Sequence, residues 1–289
     1  MKFRMYSCIK EFYQDTYGLL MRHEAQNLIP LGNIIIGNTG TDKTDWRDPV
    51  KWFMATVSDN VGIRITAIMT PPYNLTLYET DNQIVKGSLD CLIEGILEAG
   101  ITIDGVMTES GLANRFADAY TDAVNVKRTV RQHMRIHELD KTNIGLPAIG
   151  HIRLAMENDL AFLPYWIESF HTDCFHKPFK LDSDLENYRY EVTTGCLYIL
   201  EDNGTPVSMT KITREIQTVC GIGFVYTPPF FRNKGYATAC VAAVSRIILD
   251  RGYKKCVLYT DLDNPTSNSI YRKIGYVPVC DALDIGFQE

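Results

Sequence analysis

The residues best suited to chemistry in this 289-residue chain form a run near the C-terminus, from Thr227 to Ala237. The run contains the pattern Arg232-x-x-Gly235-x-Ala237 and lies between a β-like segment, 219–226, and an apolar helix-like segment, 237–249. A strand that enters a helix through a basic, glycine-containing turn leaves backbone N–H groups unpaired where the helix dipole favours an anion. The pattern therefore predicts a cradle for a pyrophosphate group.

A second run, from Asn264 to Tyr276, follows downstream. Asn264 is a suitable N-cap, the next residue is a proline in the first helical position, and Gly275 ends the predicted helix. On that helix Ser267 and Tyr271 are four residues apart and share a face. The spacing therefore predicts a short helix with two hydroxyl groups on one side.

The elements that position both runs occupy the C-terminal half of the chain. A short strand near residue 152 and a helix around 160–170 precede three antiparallel strands, 195–200, 207–213 and 219–226. The helix 237–249, a strand at 255–260 and the helix of the second run follow. This order predicts an α/β (α+β) domain with a mixed sheet, in which an antiparallel meander is combined with one parallel crossover.

Together the two runs resemble the signatures of the GNAT (N-acetyltransferase) superfamily. The turn at 232–237 resembles its acyl-coenzyme A loop, Gln/Arg-x-x-Gly-x-Gly/Ala. The run at 264–276 resembles Asn-x-x-(Ser/Ala)-x-x-x-Tyr-x-x-x-Gly-Phe, with Tyr276 in place of the phenylalanine. The resemblance covers about residues 150–289 and implies the acyl-CoA N-acyltransferase fold, with acetyl-CoA as co-substrate.

The resemblance also implies a role for each matching residue. The strand end would bind the pantetheine arm and acyl carbonyl through the backbone of Phe224, Val225, Tyr226 and Thr227. The turn would hold the pyrophosphate through the amides of Asn233, Lys234, Gly235, Tyr236 and Ala237, with charge from Arg232 and Lys234. Asn264 and Ser267 would lie at the coenzyme site, and Tyr271 would protonate the departing thiolate. Taken alone, Asn264 is equally explained as a helix cap, and Tyr271 as a core aromatic residue.

The implied reaction is direct acyl transfer, most simply of acetyl, to a small-molecule or peptide amine. The proton of the amine needs an acceptor, for which position alone suggests Glu168, His171, Glu191 and Glu215. A covalent route is disfavoured because Cys220 and Cys240 occupy apolar segments. Two alternatives stay open: a module that senses acyl-CoA without turnover, and a tandem aminoacyl or peptidyl transferase.

The N-terminal half repeats the same rhythm of strands and helices. We predict two domains, residues 1–140 and 150–289, joined by a linker rich in Gly, Pro and Asn. The first domain is interpreted as an accessory α/β domain or a degenerate GNAT-like copy. In that copy residues 79–83 stand where the basic glycine turn would be, and Glu79 and Asp81 would repel a pyrophosphate.

Composition limits the other functions. A net charge of −6 argues against nucleic acid as a partner, and no apolar run is long enough for a membrane span. No signal peptide is visible, and the eight cysteines include no Cys-x-x-Cys pair. We therefore expect a cytoplasmic protein with free thiols and no metal or membrane partner. The sequence sets no oligomeric state.

Overall fold

In the computed structural model, which describes residues 1–40, 48–143, 145, 149–175, 178–181 and 185–288, the chain divides into two compact units. The first unit contains Met1–Ile136 and Val279–Glu289, and the second contains His137–Pro278. We had assigned the whole of 150–289 to one domain, whereas the structure places the C-terminal segment with the first unit. Residues 144 and 146–148 of the predicted linker lie outside the described residues.

Both halves of the chain have the same order of elements. The first half comprises β1 (Lys2–Met5), α1 (Ile9–Leu20), α2 (Leu28–Thr39), β2 (Phe53–Ser58), β3 (Ile63–Met69), β4 (Thr76–Glu79), α3 (Ser88–Glu98), β5 (Gly105–Glu109), α4 (Ser110–Val124) and β6 (Lys127–Leu139). The second half comprises β7 (His151–Leu154), α5 (Leu163–Phe175), α6 (Leu185–Thr193), β8 (Leu197–Asp202), β9 (Thr205–Glu215), β10 (Val219–Tyr226), α7 (Tyr236–Asp250), β11 (Lys255–Asp261), α8 (Pro265–Ile274) and β12 (Val277–Gln288). The predicted α/β fold is confirmed, and the repeated order is that of a tandem arrangement.

Strand pairing explains why the last residues belong to the first unit. There, β1 to β4 form an antiparallel sheet in chain order, and β12 pairs antiparallel with β5, from Ala282 opposite Glu109 to Gly286 opposite Gly105. In the second unit β7 to β10 are antiparallel, β10 is parallel to β11, and the end of β6 lies beside β11. The final strand of each half therefore pairs with the penultimate strand of the other half.

The helices of the second unit cover both faces of its sheet. Apolar residues recur in α7 at helical spacing, so that Val241 and Ile248 pack on Ile222 of β10. On the other face Leu163 of α5 packs against Met209 of β9. The central strands are therefore held from both sides, which fixes the end of β10 where the predicted site begins.

The basic glycine turn has a counterpart in the first unit, but not at the place we predicted. Gly87 is the N-cap of α3 with φ 80° and ψ 0°, close to the values of Gly235 before α7, φ 85° and ψ 1°. The helix α3 begins directly after this left-handed glycine, so residues 79–83 lie earlier in the connection between β4 and α3. The counterpart of the turn therefore ends at Gly87, and our placement of it at residues 79–83 was wrong.

The acidic residues of that connection are also neutralised rather than free to repel an anion. Glu79 is buried and accepts two hydrogen bonds from Arg115, at 2.5 and 3.2 Å. Asp81 pairs with Arg22. Beyond the bridge between Leu75 and Val106, the hydroxyl of Thr108 on β5 donates to the carbonyl of Leu77 on β4. A side-chain hydrogen bond thus joins β4 and β5 beyond their backbone bridge.

In the described part of the chain, no helix combines the length and apolar character needed to cross a bilayer.

Candidate functional site

In the second unit, the parallel strands β10 and β11 pair at one end and then separate. β10 and β11 pair from Val219 opposite Lys255 to Gly221 opposite Val257, and no later pair joins them within the described residues. On its other side β10 continues to pair with β9, as far as Tyr226 opposite Met209. The backbone groups of 222–226 that point away from β9 therefore lack a strand partner and can pair with an extended amide-containing ligand.

A β-bulge lies in the part of β10 that pairs with β9 but no longer with β11. The register with β9 shifts between Gly223 and Tyr226, and Phe224 has φ 54°, in the left-handed region that non-glycine residues rarely adopt. The Phe224 ring stacks on Phe170 of α5, with centroids 4.9 Å apart. Packing against the helix therefore holds the strained residue in place, and the bulge redirects the adjacent backbone groups.

Side chains fix the exit from β10. The buried hydroxyl of Ser208 donates to the carbonyl of Tyr226 at 3.0 Å and lies 2.9 Å from the hydroxyl of Thr227. The Arg232 Nε donates to the carbonyl of Thr227 at 2.9 Å. These bonds anchor both ends of the turn.

The turn itself forms a concave array of backbone N–H groups. Asn233 and Gly235 have φ 63° and 85°, and α7 begins at Tyr236. The first backbone bond of the helix runs from Ala239 N to Gly235 O, so the preceding amides have no intrahelical acceptor. Left-handed residues next to a helix N-terminus are the geometry of an anion-binding nest. The amides that we predict to hold the pyrophosphate, 233–237, lie in this turn and at the start of α7.

The two basic side chains of the turn are positioned differently. Arg232 Nη2 donates to Asp173 of α5 at 2.7 Å, in an exposed ion pair. The Lys234 ammonium lies 4.8 Å from the ring centroid of Phe230 and is exposed. A phosphate group would therefore meet Lys234 directly, whereas Arg232 would have to exchange its carboxylate partner for the phosphate.

Tyr236 contributes its backbone rather than its hydroxyl to the nest. Its hydroxyl donates to Asp202 of β8 at 2.5 Å, and this bond raises the pKa of the Tyr236 phenol. The ring is thereby fixed against the end of the sheet.

Asn264 and Ser267 lie at the start of α8. The Asn264 side chain accepts a hydrogen bond from Ser267 N at 3.1 Å, and the Ser267 hydroxyl donates to the Asn264 carbonyl at 3.2 Å. The predicted cap is confirmed. Because the cap uses only the side-chain oxygen, the Asn264 Nδ2 keeps its capacity to donate to a ligand.

Tyr271 projects from α8 into the core of the second unit. It is 7% exposed. It packs in one cluster with Ile222, and Val225 lies against that cluster. Burial, together with Cys174 of α5, raises the pKa of Tyr271 well above its ordinary value. The hydroxyl therefore stays protonated at neutral pH, as a proton donor must.

Sequence reasoning missed two neighbouring residues of α5 that connect parts of this site. Asp173 binds Arg232 of the turn, and Cys174 contributes to the raised pKa of Tyr271. The pKa of the Cys174 thiol is itself raised to about 11, by burial and by Asp173 and Asp261. No local motif marks these residues; the only sequence signal was the helical spacing around residues 163–170.

The four residues considered as proton acceptors are distributed differently. Glu168 accepts a hydrogen bond from the Tyr188 hydroxyl at 3.0 Å, and Glu191 pairs with Lys211. Glu215 lies 3.9 Å from Arg251 and opposite Cys220, at the far end of β10 from the bulge. His171 contacts Phe224. Of these four residues, His171 is therefore the one that we place against the bulge residue Phe224.

Cysteines do not supply a nucleophile here. Burial raises the pKa of the Cys220 thiol, and that of Cys240 to about 12. Both thiols stay protonated and therefore weakly nucleophilic at neutral pH. Among the described residues, no group of three or more His, Cys, Asp or Glu side chains could hold a metal ion.

The residues present fit acetyl-CoA. The unpaired edge of β10 suits the two amides of a pantetheine arm, and the nest before α7 suits a pyrophosphate. Gly235 carries the left-handed conformation that the nest requires, and Lys234 supplies an exposed positive charge.

Comparison with known proteins gives a family match in this region. Residues 149–276 match the model of the acetyltransferase (GNAT) family. A search of curated proteins finds no match.

Several solved structures share the fold over nearly the whole chain. A Drosophila protein superposes with a TM-score of 0.67 at 12% identity, covering 99% of this chain and 98% of its own. A GCN5-related N-acetyltransferase from Sphaerobacter thermophilus gives 0.59 at 14% identity, with 99% and 95% covered. A GNAT-family acetyltransferase from Colwellia psychrerythraea gives 0.55 at 11% identity, with 99% of both chains covered. At these identities the likeness is one of fold, and it includes the N-terminal half.

Proposed function

We propose that the second unit transfers an acetyl group from acetyl-CoA to an amine, a proposal supported by the match of residues 149–276 to the model of the acetyltransferase (GNAT) family. The observation that carries the proposal is the separation of β10 from β11 directly before the glycine turn. An unpaired strand edge and an anion nest, placed in succession, match the amides and pyrophosphate of coenzyme A.

The groups of this chain would act in the following way. Phe224–Thr227 would hold the pantetheine and the acyl carbonyl by backbone hydrogen bonds, and the amides of 233–237 would hold the pyrophosphate. Strand amides near Tyr226 would stabilise the negative charge that develops on the carbonyl oxygen. Asn264 would donate from its Nδ2 to the pantetheine.

The transfer is direct. The amine nitrogen forms a bond to the thioester carbonyl carbon, the carbon–sulfur bond breaks, and the sulfur leaves with the bonding electrons. Tyr271 would donate a hydrogen bond and then a proton to the departing sulfur. Its raised pKa keeps this proton available throughout the neutral range. The proton of the amine leaves to a second group.

Two supporting points concern context. All eight cysteines are thiols outside any disulfide bond, which is typical of a reducing compartment, so we place the activity in the cytoplasm. We assign no chemistry to the first unit, where the Thr108 hydroxyl of β5 donates to the carbonyl of Leu77 of β4 and Arg115 pairs with Glu79.

The test is release of free thiol from acetyl-CoA by the full chain, measured with four probes: glycine, 2-phenylethylamine, spermidine and a tetrapeptide with a free N-terminus. We expect thiol release that depends on at least one amine, with the acetylated amine found by mass spectrometry. Tight binding of acetyl-CoA with no amine-dependent release would instead indicate a module that senses acyl-CoA.

A further inference from the structure

The strand that holds the acyl group lacks a residue that could take the proton of the amine. β10 reads Val-Cys-Gly-Ile-Gly-Phe-Val-Tyr and contains no carboxylate or histidine. Nucleophilic attack needs a neutral amine nitrogen, and a proton must leave that nitrogen as the new bond forms. The acceptor of this proton must therefore come from an element packed against β10.

The carboxylates near β10 are already engaged. Glu191 of α6 pairs with Lys211 of β9, with both side chains largely buried. Glu168 of α5 accepts from Tyr188 of α6. Asp173 of α5 pairs with Arg232 of the turn. Each of these carboxylates therefore already takes part in an ion pair or a hydrogen bond.

His171 lies against the bulge itself. Its ring centroid is 5.7 Å from that of Phe224, at an interplanar angle of 72°. Phe224 is the left-handed residue of the bulge, and its ring is also stacked on Phe170. The imidazole is therefore held beside the strand segment whose amides face the acyl carbonyl in the proposed site.

The same face of α5 extends from the bulge to the proposed proton donor. Cys174, one turn after His171, is close enough to Tyr271 of α8 to contribute to the raised pKa of the Tyr271 phenol. Through His171 and Cys174, one side of α5 therefore lies near both Phe224 and Tyr271. The two ends of the reaction, where the amine attacks and where the sulfur leaves, border this helix face.

We propose that His171 takes the proton from the acceptor amine during acyl transfer. The inference rests on the proposed function. The nitrogen–carbon bond forms while a proton passes from that nitrogen to the neutral imidazole. The carbon–sulfur bond then breaks, and the sulfur takes a proton from Tyr271. Exchange with water returns the proton from His171 and restores the one on Tyr271.

The charges around His171 set the expected pH dependence. Glu168, Asp173 and Cys174 share its helix, Lys211 faces Phe224 from β9, Glu191 and Tyr188 come from α6, and Tyr271 comes from α8. Glu191 pairs with Lys211, Asp173 pairs with Arg232, and Glu168 accepts a hydrogen bond from the Tyr188 hydroxyl. Because only a neutral imidazole can accept the proton, we expect kcat/KM to fall towards acidic pH.

The test compares His171→Gln with the parent in thiol release, using whichever of the four amine probes reacts fastest. We expect kcat to fall by about 100-fold or more, as for the loss of a general base. The acidic limb of the pH profile should disappear, while the Kd for acetyl-CoA measured by calorimetry stays unchanged. His133→Gln, which removes an exposed histidine of β6, is the matched control and should behave like the parent.

Other outcomes would overturn the assignment. A His171→Gln variant that keeps the parent's kcat and acidic limb would contradict it, as would Glu168→Gln abolishing the limb instead. If His171→Gln fails to bind acetyl-CoA, a His171→Gly variant assayed with added imidazole replaces it; recovery of turnover supports the role, and no recovery opposes it. Absence of amine-dependent thiol release from the parent itself would overturn the proposed transfer together with this role.

Discussion

Replacing Gly235 with valine is expected to weaken acetyl-CoA binding by about 100-fold or more, because two or more charge-assisted hydrogen bonds of about 1.5–3 kcal/mol each are lost. Gly235 has φ 85°. A β-branched residue is strained in that conformation, so the turn must rearrange and its amides no longer converge on the pyrophosphate. Calorimetric titration with acetyl-CoA measures the effect.

The chain provides a matched control for this substitution. Gly87 has almost the same φ and ψ, at the start of the corresponding helix of the first unit, and an added Cβ would meet nothing within 4 Å. Gly87→Val should therefore strain the backbone to a similar extent and leave acetyl-CoA binding intact. Equal losses of binding in both variants would mean that the effect is general destabilisation. Undiminished binding by Gly235→Val would show that the turn does not bind the pyrophosphate of acetyl-CoA.

Tyr271→Phe is expected to lower kcat by about 100-fold or more, with little change in the Kd for acetyl-CoA. The hydroxyl acts on charge that develops only as the sulfur leaves, so its removal affects the transition state more than the bound substrate. Because burial raises the pKa of Tyr271, ionisation of this group should cause no alkaline loss of kcat below pH 10. Steady-state thiol release across pH measures both.

Tyr276→Phe is the control for removal of a buried hydroxyl. The Tyr276 ring lies 5.9 Å from that of Tyr271, and its hydroxyl is 2.9 Å from the hydroxyl of Ser245. This variant should lower the Tm and leave kcat within a few-fold of the parent. If Tyr271→Phe loses affinity and turnover in parallel, Tyr271 is a structural contact and not a proton donor.

The sequence was most informative where local chemistry decides the structure. Asn264 caps α8 and Gly275 ends it with φ 117°, as their residue types predict. The strand, glycine turn and helix around residues 219–250 were likewise predicted, since an apolar run, a left-handed glycine and a 3.6-residue period are all local signals. These are also the parts that form most of the candidate site.

Helices without a clear amphipathic pattern were not predicted. α2 is apolar on nearly all sides and contains Pro30 and Gly32, which local rules assign to turns. α6 was not predicted either, because its sequence is largely polar. α1 was missed although its buried residues Phe12, Thr16 and Leu20 follow a helical spacing. In each case packing against the rest of the unit, rather than intrinsic propensity, stabilises the helix.

Pairings between segments that are distant in the chain could not be predicted from the sequence. The antiparallel pairing of β12 with β5 joins residues far apart in the chain, and no local pattern selects that strand over β11. The partner of Arg232 is Asp173, on a helix 59 residues earlier. Such contacts depend on how elements assemble, so both the last strand's membership of the first unit and the role of α5 in the site emerged only from the structure.

The most direct test of the account is calorimetric titration of the intact chain with acetyl-CoA. The second unit has a strand edge without a strand partner followed by an anion nest, whereas in the first unit Thr108 of β5 bonds to the carbonyl of Leu77 of β4 and Arg115 pairs with Glu79. We therefore predict saturable binding of one equivalent of acetyl-CoA per chain, lost in Gly235→Val and kept in Gly87→Val. Absence of binding, or two equivalents per chain, would contradict it.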